Sequence, residues 1–571
     1  MSPHCMESDC GAMQADNPEP DASVTAEVCG VLDTDGVVSE AGTAGDISDP
    51  HTPEDTGASG ATTDPSAYMG TQRVPTLLLR VAWPSVIGML VQALYNVVDS
   101  IFVAQGVGTM GVGALAVFLP IEVTLYAAIG NVFGSGAAAM IARSLGANDT
   151  KRAEAVLLNM LVACAAQSII IPLAFLPWFS TFLRLFGATD AILPGALEYG
   201  RILTVFVCSY MFGQSLPHIL RALGYERLSM QMVVASACIN MVIDPLLIFG
   251  FDMGISGAAI STVVAQTVPA VLAILFLMKE TQPVRIRFDR DIDFAIMRRF
   301  LGLGFPQMGQ QSSQALPVVL GNALIKHFAD PADVDTLIVV FSGILQRYLA
   351  LLILPIIGMT AGYLPVASYN LGAKNYHRFM RVVLYGLLFS GSIATVGWLG
   401  TLLAPALIVQ VLGGDDPALT DLGVSVMRHW CYGFLLVCFP YVAAATFQAQ
   451  SQALLATAVA LARQMLIMLP TMAIMPMITG NIESMFYAGT VSDVCAAVSS
   501  MLLMGWYVYR PLVPLLAEEK REREEAEGAD ALESQCNAET PEGEGEGESV
   551  VETLAVPTCG EGEVAVEVAD E

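Results

Sequence analysis

From about residue 80 to residue 508 the chain alternates long apolar runs with short polar breaks. A helix that crosses a bilayer needs roughly 20 apolar residues. Measured against that length, the pattern predicts twelve spanning helices, near residues 80–104, 113–141, 154–178, 195–217, 228–250, 255–278, 299–327, 336–366, 379–404, 420–447, 453–478 and 483–508. The expected fold class is all-α, a polytopic membrane protein.

The polar breaks are of two kinds. Alternate loops carry clustered bases: Arg143, Lys151 and Arg152; Arg221 and Arg227; Lys279, Arg285, Arg287, Arg290, Arg298 and Arg299; Lys374, Arg378 and Arg381. The intervening loops hold Arg184 and Lys326 among acids such as Asp330, Asp333, Asp335, Asp415 and Asp416. By the positive-inside rule both termini are expected to face the cytoplasm, with the plasma membrane as the expected location.

The chain also repeats itself. "GSGAAAMIARSLGANDTKRAEAV" from Gly134 and "TAGYLPVASYNLGAKNYHRFMRVV" from Thr360 align without gaps at an offset of 226, matching Gly136 with Gly362 and Gly146 with Gly372. Two parallel six-helix halves follow, residues 73–280 and 299–516, joined by a basic linker at 281–298. Internal repeats of this kind are associated with transporters. Gly130 with Gly134 and Gly358 with Gly362 are small-residue pairs suited to close helix packing.

Composition agrees with the pattern: 54% of residues are hydrophobic and 14% charged, which excludes an ordinary soluble domain. The net charge of −28 divides unevenly. Residues 1–72 carry 14 acids and no Lys or Arg, and residues 517–571 carry 19 acids against 3 bases, whereas the core between them has 23 bases and 21 acids. Both tails lack the apolar surface that ordering requires, so both are expected to be disordered. The eleven cysteines form no C-x-x-C or Cys/His cluster, which supports neither zinc nor a disulfide framework. Residues 1–70 lack the basic start and short apolar core of a cleavable signal.

Against this background a few ionisable residues stand out. Asp99, in "YNVVDSIFVAQG", and Asp244, in "NMVIDPLLIFG", both lie near the acid-flanked ends of their helices; Thr262 enters from the same side. At a rise of about 1.5 Å per residue all three fall roughly 6–12 Å into the apolar slab. Asn240 is one turn from Asp244 on the same face. Two carboxyls, an amide and a hydroxyl at one depth supply hard oxygen ligands for a small cation such as Na+, or a pair able to hold a proton. Pro245 removes a backbone donor beside them. Buried structural acids do exist, yet ionisable groups at this depth are costly and mostly functional. Glu122, near mid-membrane, either binds a cationic solute in an aqueous cavity or pairs with Arg347 in the eighth span. Arg463 and Asp493 fit a buried structural pair. None of the five lysines is followed by Ser or Thr, so there is no Walker A motif and an ion gradient is the available energy source.

Together "ALYNVVDSIFVAQGVG", "GSGAAAMIARSLGAND", "INMVIDPLLIFGFDMGISGAAIST" and "PVASYNLGAKNYHR" resemble the multidrug and toxic compound extrusion (MATE) family, in its prokaryotic-type branch, over roughly residues 75–510. The resemblance implies a V-shaped antiporter fold around a central cleft, exchanging inward Na+ or H+ for outward movement of organic, often cationic, compounds. It assigns Asp99, Asn240, Asp244 and Thr262 to the cation site of the first half. Some members place an essential Glu in the seventh span. Here "FLGLGFPQMGQQSSQALPVVLGNALI" has no acid, and Gln310, Gln311, Ser312 and Gln314 are expected to line the cleft as neutral donors and acceptors.

The function expected is therefore a secondary antiporter, not an enzyme, with no cofactor beyond Na+ or H+ as coupling ion. Small organic substrates and the lipid bilayer are its expected partners, with no nucleic acid, and it is expected to work as a monomer. Cation and substrate must favour different conformations, because equal affinity for both would shift nothing. Two alternatives stay open: a lipid-precursor flippase of a related two-half fold, gripping phosphate with Arg347, Arg428 and Arg463, and a polytopic receptor or scaffold that signals through its acidic tails.

Overall fold

The computed structural model describes residues 66–538, apart from 187, 281, 288–291, 313, 314, 415 and 416. Among the described residues every regular element is a helix. Among the described residues nine continuous helices are long and apolar enough to cross a membrane and two further spans are bent helix pairs; the paired helices Phe294–Ser312 and Ala315–Phe328 bring the set to twelve. In chain order these give α1 (Val74–Gly106), α2 (Gly113–Gly146), α3 (Thr150–Leu185), α4 (Leu193–Val205 with Val207–Ala222), α5 (Glu226–Gly250) and α6 (Gly254–Leu277). The second half consists of α7 (Phe294–Ser312 with Ala315–Phe328), α8 (Val334–Gly372), α9 (Tyr376–Leu403), α10 (Pro417–Cys431 with Phe434–Ala449), α11 (Ala453–Thr479) and α12 (Ile482–Glu525). The twelve-span, two-half architecture is the one the apolar pattern predicts, with α7 starting at Phe294 and so shortening the basic linker. Large apolar side chains such as Leu173, Leu272, Val396, Leu466 and Leu502 point outward. An exterior of that kind is matched by hydrocarbon and not by water.

The 226-residue repeat explains why the halves are built alike. Helix α4 bends by 60° at Phe206, and α10 bends by 47° around the equivalent Tyr432. Asn148 and Lys374, also equivalent, both adopt left-handed φ angles (57° and 56°). Each is followed by an N-cap: the Asp149 side chain accepts from the Arg152 amide at 3.0 Å, and the Asn375 side chain accepts from the Arg378 amide at 3.1 Å. The same turn thus starts α3 and α9.

The equivalent glycines mark where the halves meet. A Cβ on Gly146 would lie 2.0 Å from the Tyr369 carbonyl oxygen, and one on Gly372 would lie 2.1 Å from that of Arg143. Helices α2 and α8 therefore cross backbone to backbone, at the end of the bundle that carries the basic loops. Gly136 lies equally close to the Phe300 carbonyl of α7. A hydrophobic cluster of α1 residues (Val74, Leu77, Leu78, Val81) with Tyr363, Val366 and Phe379 seals the same end, and Gln448 Nε2 of α10 donates to the Leu303 carbonyl at 2.6 Å. One apolar core fills the first half and takes in Phe300 and Leu303 of α7, and another lies wholly within the second half.

Two segments expected to be disordered are folded. The short helix Tyr68–Thr71 is held at the basic end, where the Met69 carbonyl accepts from Asn370 Nδ2 (3.2 Å) and from Arg378 Nε (3.3 Å) and Nη2 (3.2 Å). On its other side the Tyr68 hydroxyl donates to the Gly224 carbonyl of the first half. At the C-terminus a helix runs through Arg510–Ala538. Its Glu, Lys, Arg and Ala residues are strong helix formers with charges of both signs one turn apart, which overrides the low apolar content. Glu519 Oε2 accepts from the Tyr376 and His377 amides at 2.9 and 3.0 Å, capping the start of α9. The expected tail segments 1–65 and 539–571 lie outside the described residues.

Gly372→Val should force α2 and α8 apart and cost about 1–3 kcal/mol, the usual range for overpacking, read as a lower unfolding midpoint in lipid nanodiscs. Gly505→Ala, whose Cβ would meet nothing within 4 Å, should leave the midpoint unchanged.

Candidate functional site

The polar cluster of the first half is assembled by α1, α5 and α6. Pro245 contributes no N–H, and the chain after it forms a π turn, Leu246–Gly250, in which the Phe251 amide reaches the Leu246 carbonyl at 3.0 Å. Such turns are frequent at functional sites. Just before it, Asp244 is fully buried. Its Oδ1 accepts from the Ser261 hydroxyl of α6, and Ser261 Oγ in turn accepts from Asn240 Nδ2 at 3.1 Å. Asp99 on α1 is an electrostatic neighbour of Asp244 on α5.

Three oxygens of this cluster are left over. Asp99 Oδ1, Asn240 Oδ1 and Asp244 Oδ2 are all buried with no hydrogen-bond partner. A buried acceptor without a donor is costly, and three at one place form a set of hard oxygen donors suited to a small cation or a proton.

The structure brings together three of the four residues singled out by depth. Thr262 is buried nearby, but its hydroxyl donates to the Ala258 carbonyl of its own helix at 3.1 Å. Ser261, its neighbour, makes the contact instead. Depth along a helix places both residues within about 1.5 Å of each other, whereas their side chains point about 100° apart, and depth cannot read that rotation.

Glu122 belongs to the same layer. It opens a π turn in α2, Glu122–Ala127, beside Tyr210, with Tyr95, Tyr126, Tyr199 and Asp99 as further electrostatic neighbours. It makes no ion pair with Arg347, whose side chain is exposed on α8; the ion pairs among the described residues are Arg184–Asp190, Arg285–Glu280, Arg287–Glu154 and Arg463–Asp493. The alternative in which Glu122 and Arg347 pair is therefore not realised. The tyrosines were missed at the sequence level, although Tyr95, one turn before Asp99, shares its helix face. The Arg463–Asp493 pair forms as expected, buried, at 2.7 Å.

In the second half, Gln310 on α7 lines a small cavity together with Ser135, His218, Gln307, Thr360 and Gln448 from both halves. Gln311 is half-buried on the same helix. Ser312 ends the first segment of α7 with its side chain outside the described residues, and Gln314 lies wholly outside them.

The family model named MatE matches residues 84–246 and 341–474, one segment in each half and more than half of the chain together. The chain belongs to the MATE family. Curated relatives include the multidrug export protein MepA of Staphylococcus aureus, 23% identical over 428 residues that cover 75% of this chain and 92% of that protein. The MepA protein of Staphylococcus haemolyticus is 24% identical over 434 residues, with the same shares covered. Among solved structures, the outward-facing conformation of a multidrug resistance MATE family transporter of the MOP superfamily superposes with a TM-score of 0.72 at 23% identity, covering 79% of this chain and 99% of that one. A MATE structure in its bent conformation gives a TM-score of 0.72 at 23% identity, covering 81% and 99%. These likenesses establish the transporter fold of this MATE protein.

Ser261→Ala should leave both Asp244 carboxylate oxygens without a donor and cost about 1–3 kcal/mol, seen as a lower unfolding midpoint. Thr262→Val, which removes only a bond back to its own helix, should shift the midpoint far less.

Proposed function

We propose that this MATE protein is a secondary antiporter that exports amphipathic organic cations in exchange for Na+ or H+. The observation that carries the proposal is the trio of buried, unpartnered oxygens on Asp99, Asn240 and Asp244. When bound, a small cation or a proton would supply the positive charge that these oxygens lack, and Asp99, Asn240 and Asp244 would hold it. Ser261 orients the Asp244 carboxyl from α6.

The coupling we infer is between that cluster and the seam of the two halves. Asp99 belongs to α1, whose other end, Val74 to Val81, is packed into the second half. Loading the cluster changes the balance of charge around α1 and so biases one packing of the helix over another. Because two ligands that bias different conformations exclude one another, cation entry promotes substrate release. Glu122 and its tyrosines lie in the same layer and would contact the cationic part of a substrate. The basic end would face the cytoplasm of a cell whose plasma membrane holds the protein, and the monomer would be the working unit. The multidrug export named for the staphylococcal relatives supports substrates of this class.

In proteoliposomes loaded with a fluorescent organic cation, an imposed Na+ gradient or pH gradient should drive efflux. Asp244→Asn or Asp99→Asn should slow gradient-driven efflux by roughly 5–150-fold, the span of a typical 1–3 kcal/mol coupling. Efflux indifferent to both gradients, or unchanged in both variants, would overturn the proposal.

A further inference from the structure

The first half contains a second polar constellation, around Arg221 toward the basic end, and the cavity it lines reaches as far as Tyr95 beside the acid layer. Arg221, in the last turn of α4, is buried to 4% exposure. No carboxylate pairs with it among the described residues. Its Nη1 donates to Ser229 Oγ at 3.0 Å and its Nη2 to His218 Nδ1 at 3.1 Å, while its Nε is buried with no partner. His218 brings no charge of its own: its Nδ1 accepts from Arg221, which leaves Nε2 to donate to Asn131 Oδ1 at 3.0 Å. The Ser229 hydroxyl in turn donates to the Pro217 carbonyl at 2.9 Å. The guanidinium is therefore held in a fixed orientation by neutral groups alone, with donors to spare.

An ionised group buried without a counter-charge is among the most costly features a protein can hold. Here the guanidinium lines a cavity formed by α1, α2, α4, α5 and α6, with Gln92, Asn131, Gln214, His218 and Gln266 around it. These amides and the imidazole add neutral donors next to the charge. The space open to the centre of a water-sized sphere is about 50 Å3, enough to seat one small anion or a few waters.

We propose that this cavity is a binding site for a single small monovalent anion, chloride or a carboxylate of acetate size, held by Arg221 as its counter-charge. The proposal stands apart from the antiport mechanism and does not depend on it. An inorganic ion and a small carboxylate share the chemistry that Arg221 recognises, and both fit the space. Gluconate carries the same charge on a far bulkier chain.

The test uses the full-length protein in lipid nanodiscs, exchanged into gluconate buffer and titrated with chloride or, separately, with acetate. The expected result is a saturable rise in unfolding temperature with chloride or acetate and none with added gluconate; whichever of the two saturates at lower concentration identifies the source. Arg221→Gln should raise the half-saturating concentration by about thirtyfold or more, the loss typical of a buried charged pair, while Arg221→Lys should recover part of it. Arg227→Gln, at an exposed neighbouring base, should change nothing. Crystals of the unaltered protein soaked in bromide give a readout that needs no variant: an anomalous peak beside Arg221 is expected. Water alone in the cavity under bromide, or stabilisation that gluconate reproduces, would overturn the proposal.

Discussion

The rest of the molecule depends on one contact, the backbone-to-backbone crossing of α2 and α8 at the basic end. With lipid on the outside there is little hydrophobic gain from joining two apolar helices, and close approach of small residues supplies the packing instead. Gly146 and Gly372 meet each other's helix so tightly that neither position can carry even a methyl group. Gly136 against α7, α1 against α8 and Gln448 against Leu303 all reinforce the seam. One apolar core fills the first half and extends to Phe300 and Leu303 of α7, and another lies wholly in the second half.

Within the first half, the low dielectric of the surroundings gives a few polar atoms unusual weight. Asp244 and Arg221 are both deeply buried and both retain an atom without a partner. They are kept apart along α4, α5 and α6, one cluster toward each end of the half, and neither neutralises the other. The second half resolves the same problem differently: Arg463 and Asp493 neutralise each other directly at 2.7 Å, with Ser492 donating to the Arg463 carbonyl. A satisfied buried pair is structural, whereas an unsatisfied set of oxygens or N–H groups leaves chemistry for a ligand.

Much of this was legible along the chain, and the limits follow from geometry. The twelve spans, the two halves and the repeat could be read because a membrane helix needs a fixed length of apolar residues and because the two halves share the same turns. Asp99, Asn240 and Asp244 could be grouped because helix rise converts residue number into depth. Thr262 was placed at the right depth, yet the cluster uses Ser261, because rotation about the helix axis depends on how α6 packs against α5. Glu122 and Arg347 sit near one depth but do not meet. Depth gives one coordinate of three. Helix formation in residues 517–538 was hidden for another reason: composition argued against burial, while local propensity and the docking of Glu519 on α9 are enough for a helix.

By itself the sequence determined the class of protein, the number and pairing of its spans and the short list of polar residues that hydrocarbon would not tolerate without cause. Only the tertiary structure decided which of those residues share a site, which face of α6 supplies the hydroxyl, and that Arg221 is left with a cavity in place of a carboxylate. The division has a physical origin. Transfer of side chains into hydrocarbon is a property of local composition and length, whereas the partner of a buried polar group depends on distances between helices that lie far apart in the chain.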